Sequence, residues 1–181
     1  MIINHLQQNF PVDGRNAVVF LYCDYQTKHS VIQLLEALLK QLAQHHLTSD
    51  VVDSLAEHKE KKTHPAVDEL LLMLQAEIKT YQSFFIVVDA LDECSDKIRA
   101  DFIRKLQALA ANVIVTSRNL ADIAKAFEQE AHLEITGKNE DIRTYTRDTI
   151  YNNETLYRLV NKAPPLWTVI AEKVVAKAGG M

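Results

Sequence analysis

Glycine is scarce in this sequence. The 181 residues contain only four glycines, at positions 14, 137, 179 and 180. None of them precedes a Lys-Ser or Lys-Thr pair in the pattern GxxxxGKS or GxxxxGKT, the turn whose backbone N–H groups and lysine hold nucleotide phosphates. Gly14-Arg15 indicates only a turn before a strand. The sequence therefore contains no glycine-rich phosphate-binding loop of this kind.

Other absences exclude several classes of protein. Cys23 and Cys94 are isolated and form no CxxC pair, so we expect no stapling disulfide and a reducing, cytoplasmic compartment. No apolar run approaches the roughly 20 residues of a membrane-spanning helix, and the first ten residues do not resemble a signal peptide. The net charge is −4 and the basic residues are dispersed, which argues against nucleic acid as a partner. The seven histidines lack zinc-ligand spacing.

Short apolar runs alternate with helical patterns along most of the chain. Three runs rich in β-branched and aromatic residues predict strands at Ala17–Tyr25, Phe84–Leu91 and Asn112–Arg118, and His132–Ile135 predicts a weaker fourth. Strands that are separated by helices favour right-handed crossovers and a parallel sheet with helices on both faces. The sequence therefore predicts an α/β fold with three layers.

Capping residues and prolines predict where the helices begin. These signals are Ser30 with Gln33, Pro65, Ser95 or Asp96, Asn139, and Pro164-Pro165, and the last helix is expected to stop at Gly179-Gly180. The polar segment 48–65 predicts a surface loop with at most one short helix. Strand patterns cease near residue 137, so we expect a core domain at 1–137 and a helical extension at 138–181.

Acidic residues follow the most hydrophobic predicted strand. The run "FFIVVDALDEC" leads without interruption into Asp89, and Asp92 and Glu93 come three and four residues later. In open α/β sheets, ligands bind beyond the carboxyl ends of the strands, and Mg²⁺ prefers oxygen ligands. We therefore expect Asp89 to be a magnesium-associated carboxylate, with Glu93 able to polarise a water. The alternative is that Asp89 caps a turn and that the other two acids are solvated loop charges.

The next predicted strand also ends in polar residues. Thr116, Ser117 and Arg118 follow the apolar run "NVIV". If the two strands are neighbours, Arg118 lies within reach of phosphate oxygens, which its planar guanidinium is suited to bind. The alternative is a structural ion pair of Arg118 with Asp89 or Asp92. Both can hold, since an empty nucleotide site leaves such a pair.

Several motifs, taken in order, carry a family resemblance. "FFIVVDALDEC" (84–94), "VIVTSRN" (113–119) and "LEITGKNEDIRTYTRDTI" (133–150) closely resemble the NACHT-type P-loop NTPase module of fungal STAND proteins. The resemblance is to the nephrocystin-3-like N-terminal type, often joined to ankyrin or WD40 repeats. The second strand and following helix of that family match "VVFLYCDYQTKHSVIQLLEALLKQL" (18–42). A later helix of the family ends in a "GMFLWA"-like motif, and the start of that ending matches "VAKAGGM" (175–181).

The resemblance implies roles for the polar residues at the strand ends. It makes Asp89 the Walker B magnesium-associated acid, Asp92 and Glu93 the acids that support water activation, and Arg118 the sensor arginine. Together with Thr116 and Ser117, Asp89 and Arg118 would contact ATP or GTP bound with Mg²⁺ in full-length relatives.

The resemblance also implies missing parts. The family places its P-loop just upstream of the helix that "IINHLQQNF" resembles, so we expect this chain to be a fragment without the Walker A loop and the first strand. In relatives the Walker A strand lies between the two strands equivalent to "NVIVTSR" and "HLEI". Without it, each of these two strands would have an unpaired inner edge.

Three hypotheses about function follow from these expectations. The chain is a fragment of a cytoplasmic nucleotide-binding signalling switch, expected to bind no nucleotide and to hydrolyse none alone. Alternatively, it is an interaction module that pairs with protein partners or with itself through exposed edges or helices. The third hypothesis is a remnant without independent function.

Overall fold

Three parallel strands form the sheet on which the candidate site is built. The computed structural model describes residues 2–10, 15–27, 29–45 and 47–178. Strand β1 (Asn16–Tyr22), strand β2 (Ser83–Asp89) and strand β3 (Asn112–Val115) lie in the order β1–β2–β3, with parallel pairing throughout. The three stronger strand predictions and the α/β class are therefore confirmed.

Both faces of the sheet are apolar, as expected for a parallel sheet covered by helices. One face carries alternate residues of β1 and β2, including Val19 and Ile86, and packs in one core with helices α2 (Val31–Leu42), α4 (Val67–Ile78) and α5 (Asp96–Gln107). The opposite face carries Val18, Phe20, Phe85 and Val87 and packs against helix α1 (Ile2–Asn9), whose Leu6 is buried. The Phe10 and Phe85 rings lie 4.6 Å apart on that face.

Helix α2 begins with the capping box that the sequence predicts. The backbone N–H of Ser30 donates to Gln33 Oε1 at 2.8 Å, and the Gln33 N–H donates to Ser30 Oγ at 3.3 Å. Two other predicted starts are displaced by one or two residues. Helix α4 begins at Val67 rather than at Pro65, and helix α7 (Asn139–Tyr151) has Lys138, not Asn139, at the capping position.

A thirteen-residue helix occupies most of the segment predicted to be a loop. Helix α3 (Ser49–Lys61) buries only Val51, so its sequence carries little apolar periodicity. The carboxylate of Glu77, buried in α4, accepts hydrogen bonds from the Thr48 N–H at 2.7 Å and the Thr48 hydroxyl at 2.6 Å. This long-range anchor fixes the start of α3, and a local sequence pattern cannot reveal it.

The chain divides into two compact units, Met1–Glu128 and Gln129–Met181. Helix α6 (Ala121–Ala126) belongs to the first unit. The second unit contains α7, helix α8 (Glu154–Lys162) and helix α9 (Pro165–Ala178). Helices therefore occupy most of residues 139–178, and α8 was not predicted. Asn153 caps α8 by accepting the Leu156 N–H at 3.1 Å.

The predicted fourth strand is wrong. Residues 132–135 have no regular secondary structure, and Leu133 and Ile135 are 84% and 80% exposed. Four residues form a stable strand only beside a neighbour, and among the described residues no strand lies beyond β3. The predicted turn at Gly14 and helix stop at Gly179-Gly180 lie outside the described residues. In the part of the chain that is described, no helix is both long and apolar enough to cross a membrane.

In the described part of the chain, a side chain rather than a strand binds the outer edge of β1 at Phe20. Gln41 of α2 donates from Nε2 to the Phe20 carbonyl at 2.8 Å and accepts the Phe20 N–H on Oε1 at 3.0 Å. Its primary amide thus replaces the backbone of a neighbouring strand at one residue. This pairing satisfies outward-facing backbone groups that otherwise favour strand addition.

We expect Gln41→Ala to destabilise the protein because it leaves both Phe20 backbone groups without their partner. The loss should be about 1–3 kcal/mol in the free energy of unfolding, measured by urea denaturation. Gln44→Ala, at an exposed position of the following turn, is the matched control and should change it by less than about 0.5 kcal/mol. Equal effects of the two substitutions would show that the amide does not protect this edge.

Candidate functional site

The carboxyl ends of the strands meet because the strands are parallel and in register. Tyr22 pairs with Asp89, and Val88 pairs with Val115. The pairing continues past the strands, since the Cys23 N–H donates to the Asp89 carbonyl and the Thr116 N–H donates to the Val88 carbonyl, both at 2.9 Å. Asp89 and Thr116 are therefore brought side by side at one edge of the sheet.

Asp89 is held in a small hydrogen-bond network. The hydroxyl of Thr116 donates to Asp89 Oδ1 and accepts the Ala90 N–H at 3.0 Å, and the Leu91 N–H donates to the Thr116 carbonyl at 3.0 Å. Ala90 has φ 56° and ψ 47°, a left-handed conformation that costs a non-glycine residue about 1–2 kcal/mol. The network holds this turn, which directs the following residues across the strand ends.

The next three residues form a single 3₁₀ turn, Leu91–Glu93, which we call the acid turn. Leu91 is fully buried and anchors the acid turn to the core. Arg118 faces it from the end of β3. Its Nε lies 2.5 Å from Asp92 Oδ2, its backbone N–H donates to Asp92 Oδ1 at 3.2 Å, and its Nη2 lies 3.7 Å from Glu93 Oε1. The structural ion pair considered above is therefore present, with Asp92 as the partner.

The ion pair is asymmetric in its exposure to water. The Asp92 side chain is 5% exposed, whereas that of Arg118 is 71% exposed. Burial by itself raises the pKa of Asp92, but the side-chain and backbone hydrogen bonds from Arg118 outweigh it, so that this pKa lies below its ordinary value of 3.8. The same contact raises the pKa of Arg118. Arg118 thus stabilises the charged form of Asp92.

Five of the six predicted site residues form one contiguous group. Asp89 and Thr116 are joined by their hydrogen bond, and Asp92 and Glu93 are joined by Arg118. The sixth, Ser117, is exposed, and its hydroxyl donates to the Arg118 carbonyl at 2.9 Å. Ser117 therefore lies at the edge but contacts its own neighbour rather than the acids.

Two cysteines and an arginine belong to this region although the sequence did not single them out. Cys23 and Cys94 are buried, and their sulfurs lie 3.4 Å apart. The hydrogen bond to Cys94, together with burial, raises the pKa of Cys23, whereas the same hydrogen bond lowers the pKa of Cys94. Buried Arg99 donates to the Cys94 carbonyl at 2.8 Å and forms ion pairs with Asp96 and Asp122. The sequence offers only a weak signal for the thiol pair, namely that Cys23 follows the apolar run of the first strand and Cys94 follows the acids after the second.

The site can offer a cation one well-placed carboxylate rather than a closed cage. Among the described residues, no group of three or more His, Cys, Asp or Glu side chains has an arrangement that could hold a metal ion. Thr116 occupies one oxygen of Asp89, and Arg118 neutralises Asp92. A single carboxylate is compatible with Mg²⁺, which keeps several of its waters, and not with a structural zinc site.

Comparison with known proteins identifies one family. The family model described as "Nephrocystin 3, N-terminal" matches residues 1–118 of the chain. The matched region contains the whole sheet and acid turn and ends at Arg118. No curated protein and no solved structure matches the chain.

We expect Asp92→Asn to remove a stabilising contribution that depends on pH. Because the pKa of Asp92 is lowered in the folded protein, the unfolded chain binds this proton more readily and stability falls as pH drops below about 4. At pH 7 the variant should be less stable by about 1 kcal/mol, a value reduced because Arg118 is exposed. The difference should shrink at pH 2–3 in urea unfolding.

Asp101→Asn is the matched control for this measurement. Asp101 pairs with Arg104 at 3.0 Å on the exposed side of α5, where both side chains contact water. Its substitution should change stability by only a few tenths of a kcal/mol at any pH. Curves for wild-type protein and Asp92→Asn that stay parallel from pH 7 to pH 2 would contradict a lowered pKa at Asp92.

Proposed function

The chain belongs to the nephrocystin 3 N-terminal family, and we propose that it forms the magnesium-binding side of a NACHT-type nucleotide-responsive signalling module. One observation carries the proposal. Asp89 ends a buried strand beside the Thr116 hydroxyl, and Arg118 stands at the same edge, so a carboxylate, a hydroxyl and a guanidinium converge where parallel sheets bind ligands.

Each residue has a distinct part in this proposal. Asp89, oriented by Thr116, would hold Mg²⁺ directly or through its waters, and the ion would shield phosphate oxygens of ATP or GTP. Glu93 lies farther from Arg118 than Asp92 does and is 29% exposed, so it is the acid better able to polarise a water. Asp92 is the positioning residue for Arg118. Ser117 offers a further exposed hydroxyl.

Arg118 gives the proposed module its switch. Its side chain is mostly in water and can leave Asp92 without crossing packed protein. A phosphate group at the strand ends would compete with Asp92 and Glu93 for the guanidinium, and the freed Asp92 would then bear an uncompensated, nearly buried charge. The two states of Arg118 would thus report whether nucleotide is bound, as in order-changing nucleotide switches.

Nucleotide binding in this proposal needs a phosphate-binding loop from outside these residues. The sequence has four glycines and no GxxxxGKS or GxxxxGKT pattern, whose amides and lysine supply much of the anchoring for phosphates. Acids alone repel a triphosphate that lacks its cation. The chain is therefore proposed to neither hydrolyse nor firmly bind nucleotide by itself, which leaves its activity as an enzyme to the complete module.

We expect Mn²⁺, a paramagnetic substitute for Mg²⁺, to broaden the backbone amide signals of Ala90, Leu91 and Thr116 in NMR spectra of the chain. Asp89→Asn should lose this broadening while keeping the dispersion of its spectrum, because Asp89 is the proposed ligand. The matched control is Asp53→Asn, an exposed acid on α3, which should behave as the wild type does.

The same samples test the need for an external phosphate loop. A fluorescent ATP analogue with Mg²⁺ should give no saturable signal up to millimolar concentration. Broadening that is unchanged in Asp89→Asn would overturn the metal assignment. Saturable nucleotide binding that Asp89→Asn abolishes would show instead that the chain is an autonomous nucleotide-binding protein.

A second candidate function is an interaction module, and the unequal edges of the sheet favour it. Gln41 binds the outward-facing backbone groups of β1 at Phe20, whereas no strand among the described residues lies beyond β3. The Thr116 N–H points toward β2, so the alternate residues Val113 and Val115 direct their N–H groups outward. An edge of this kind accepts a strand from a partner or from a second copy.

If the β3 edge pairs with a second copy, the mass measured by light scattering should rise with protein concentration. Asn112→Lys, which places a charge at the exposed start of β3, should weaken that association. Asn152→Lys, an exposed position at the end of α7, serves as the control and should leave association unchanged. A monomeric mass at every concentration would count against pairing between copies.

A further inference from the structure

Cys23 and Cys94 form a buried pair of thiols beside the acid turn. They lie 71 positions apart in the sequence, and their sulfurs are separated by 3.4 Å. Cys23 directly follows β1, and Cys94 directly follows the acid turn. Cys23 and Cys94 are 7% and 6% exposed, respectively. The fold therefore brings together the only two cysteines of the chain.

We propose that Cys23 and Cys94 form a reversible disulfide when a small hydroperoxide oxidises them, which makes the pair a redox-modification site beside the acid turn. A disulfide needs a sulfur–sulfur distance of about 2.05 Å, so the two sulfurs must approach by little more than an ångström. Their burial favours a small oxidant, since hydrogen peroxide needs less local opening of the structure to reach them than a bulkier thiol or disulfide reagent does.

The oxidation balances in two steps. A thiolate of one cysteine attacks a peroxide oxygen, the O–O bond breaks, and the products are a sulfenic acid and hydroxide, which takes up the proton that the thiol released. The sulfur of the other cysteine then attacks the sulfenic sulfur, the S–O bond breaks, and water leaves. The net change converts two thiols and one hydrogen peroxide into one disulfide and two waters. A dithiol such as dithiothreitol reverses the modification by exchange.

The position of the pair explains what the disulfide would change. The bond would tie the end of β1 to the residue after the acid turn, where Arg99 already fixes the Cys94 carbonyl. The acid turn carries Asp92 and Glu93, so oxidation would restrict the groups that hold Arg118. This inference does not rest on nucleotide binding, because it needs only the two thiols and their surroundings.

The test is to treat the folded wild-type protein with hydrogen peroxide and measure free thiols, intact mass and melting temperature. We expect both thiols to be lost together, with a mass decrease of two hydrogens, a monomeric chain on a non-reducing gel and a higher melting temperature. Dithiothreitol should restore the thiols. With only two cysteines in the chain, any intramolecular disulfide must be this one.

A comparison between folded and unfolded protein separates proximity from reactivity. Equilibrated with dithiothreitol, the disulfide should be at least about tenfold more stable in buffer than in concentrated urea, because only the fold brings the sulfurs together. The Cys23→Ser and Cys94→Ser variants should give sulfenic acid or intermolecular dimers instead. Should a variant fail to fold, the disulfide stabilities of the wild-type protein in buffer and in urea still test the proposal.

Three results would overturn the inference. Both thiols could survive peroxide that oxidises the urea-unfolded chain, which would make them packing residues only. The oxidised product could be sulfinic acid or an intermolecular dimer in the wild type. The disulfide could also be no more stable in the folded protein than in urea, which would show that the native geometry does not accommodate it.

Discussion

The parallel register of three strands is the constraint on which the candidate site depends. Asp89, Thr116 and Cys23 are distant in sequence, yet each comes at or just after the end of its strand, and the register aligns those ends. A shift of β3 by one residue would turn its side chains to the opposite face and remove the Thr116 hydroxyl from Asp89. Backbone contacts of Thr116 hold the observed register, since its N–H donates to the Val88 carbonyl at 2.9 Å and its carbonyl accepts the Leu91 N–H at 3.0 Å.

The charges of Asp89 and Asp92 at this edge of the sheet are compensated in different ways, because the two side chains have different neighbours. Asp89 is held by a neutral hydroxyl and keeps an oxygen for another ligand, whereas Asp92 is nearly buried and takes its compensation from Arg118. The buried partner cannot move into water at low cost, but the exposed partner can leave it. In the proposed switch, this asymmetry makes Arg118 the side chain that moves and Asp92 the side chain that stays in place. The same residues can therefore form a structural ion pair and take part in ligand binding.

The sequence was informative where local patterns decide the structure. Apolar runs predicted all three strands of the sheet within a few residues, and the polar residues that follow them marked the site edge. Prediction failed where distant contacts decide. Helix α3 depends on Glu77, 29 positions from Thr48, and no local pattern reports that contact. Residues 132–135 have a strand-like composition but no regular secondary structure. The cysteine pair was invisible because spacing in sequence says nothing about neighbours across strand ends.

The acid turn is held from both sides, which joins the proposed metal site to the thiol pair. On the β3 side, Thr116 accepts the Leu91 N–H and Arg118 binds the carboxylates. On the α5 side, Arg99 holds the Cys94 carbonyl and is itself fixed by Asp122. A turn of three residues fixed at both ends has few ways to adjust independently. In the proposed switch, a movement of Arg118 toward a phosphate would therefore change the surroundings of Cys94. The proposed disulfide at Cys94 would in turn restrict Asp92 and Glu93.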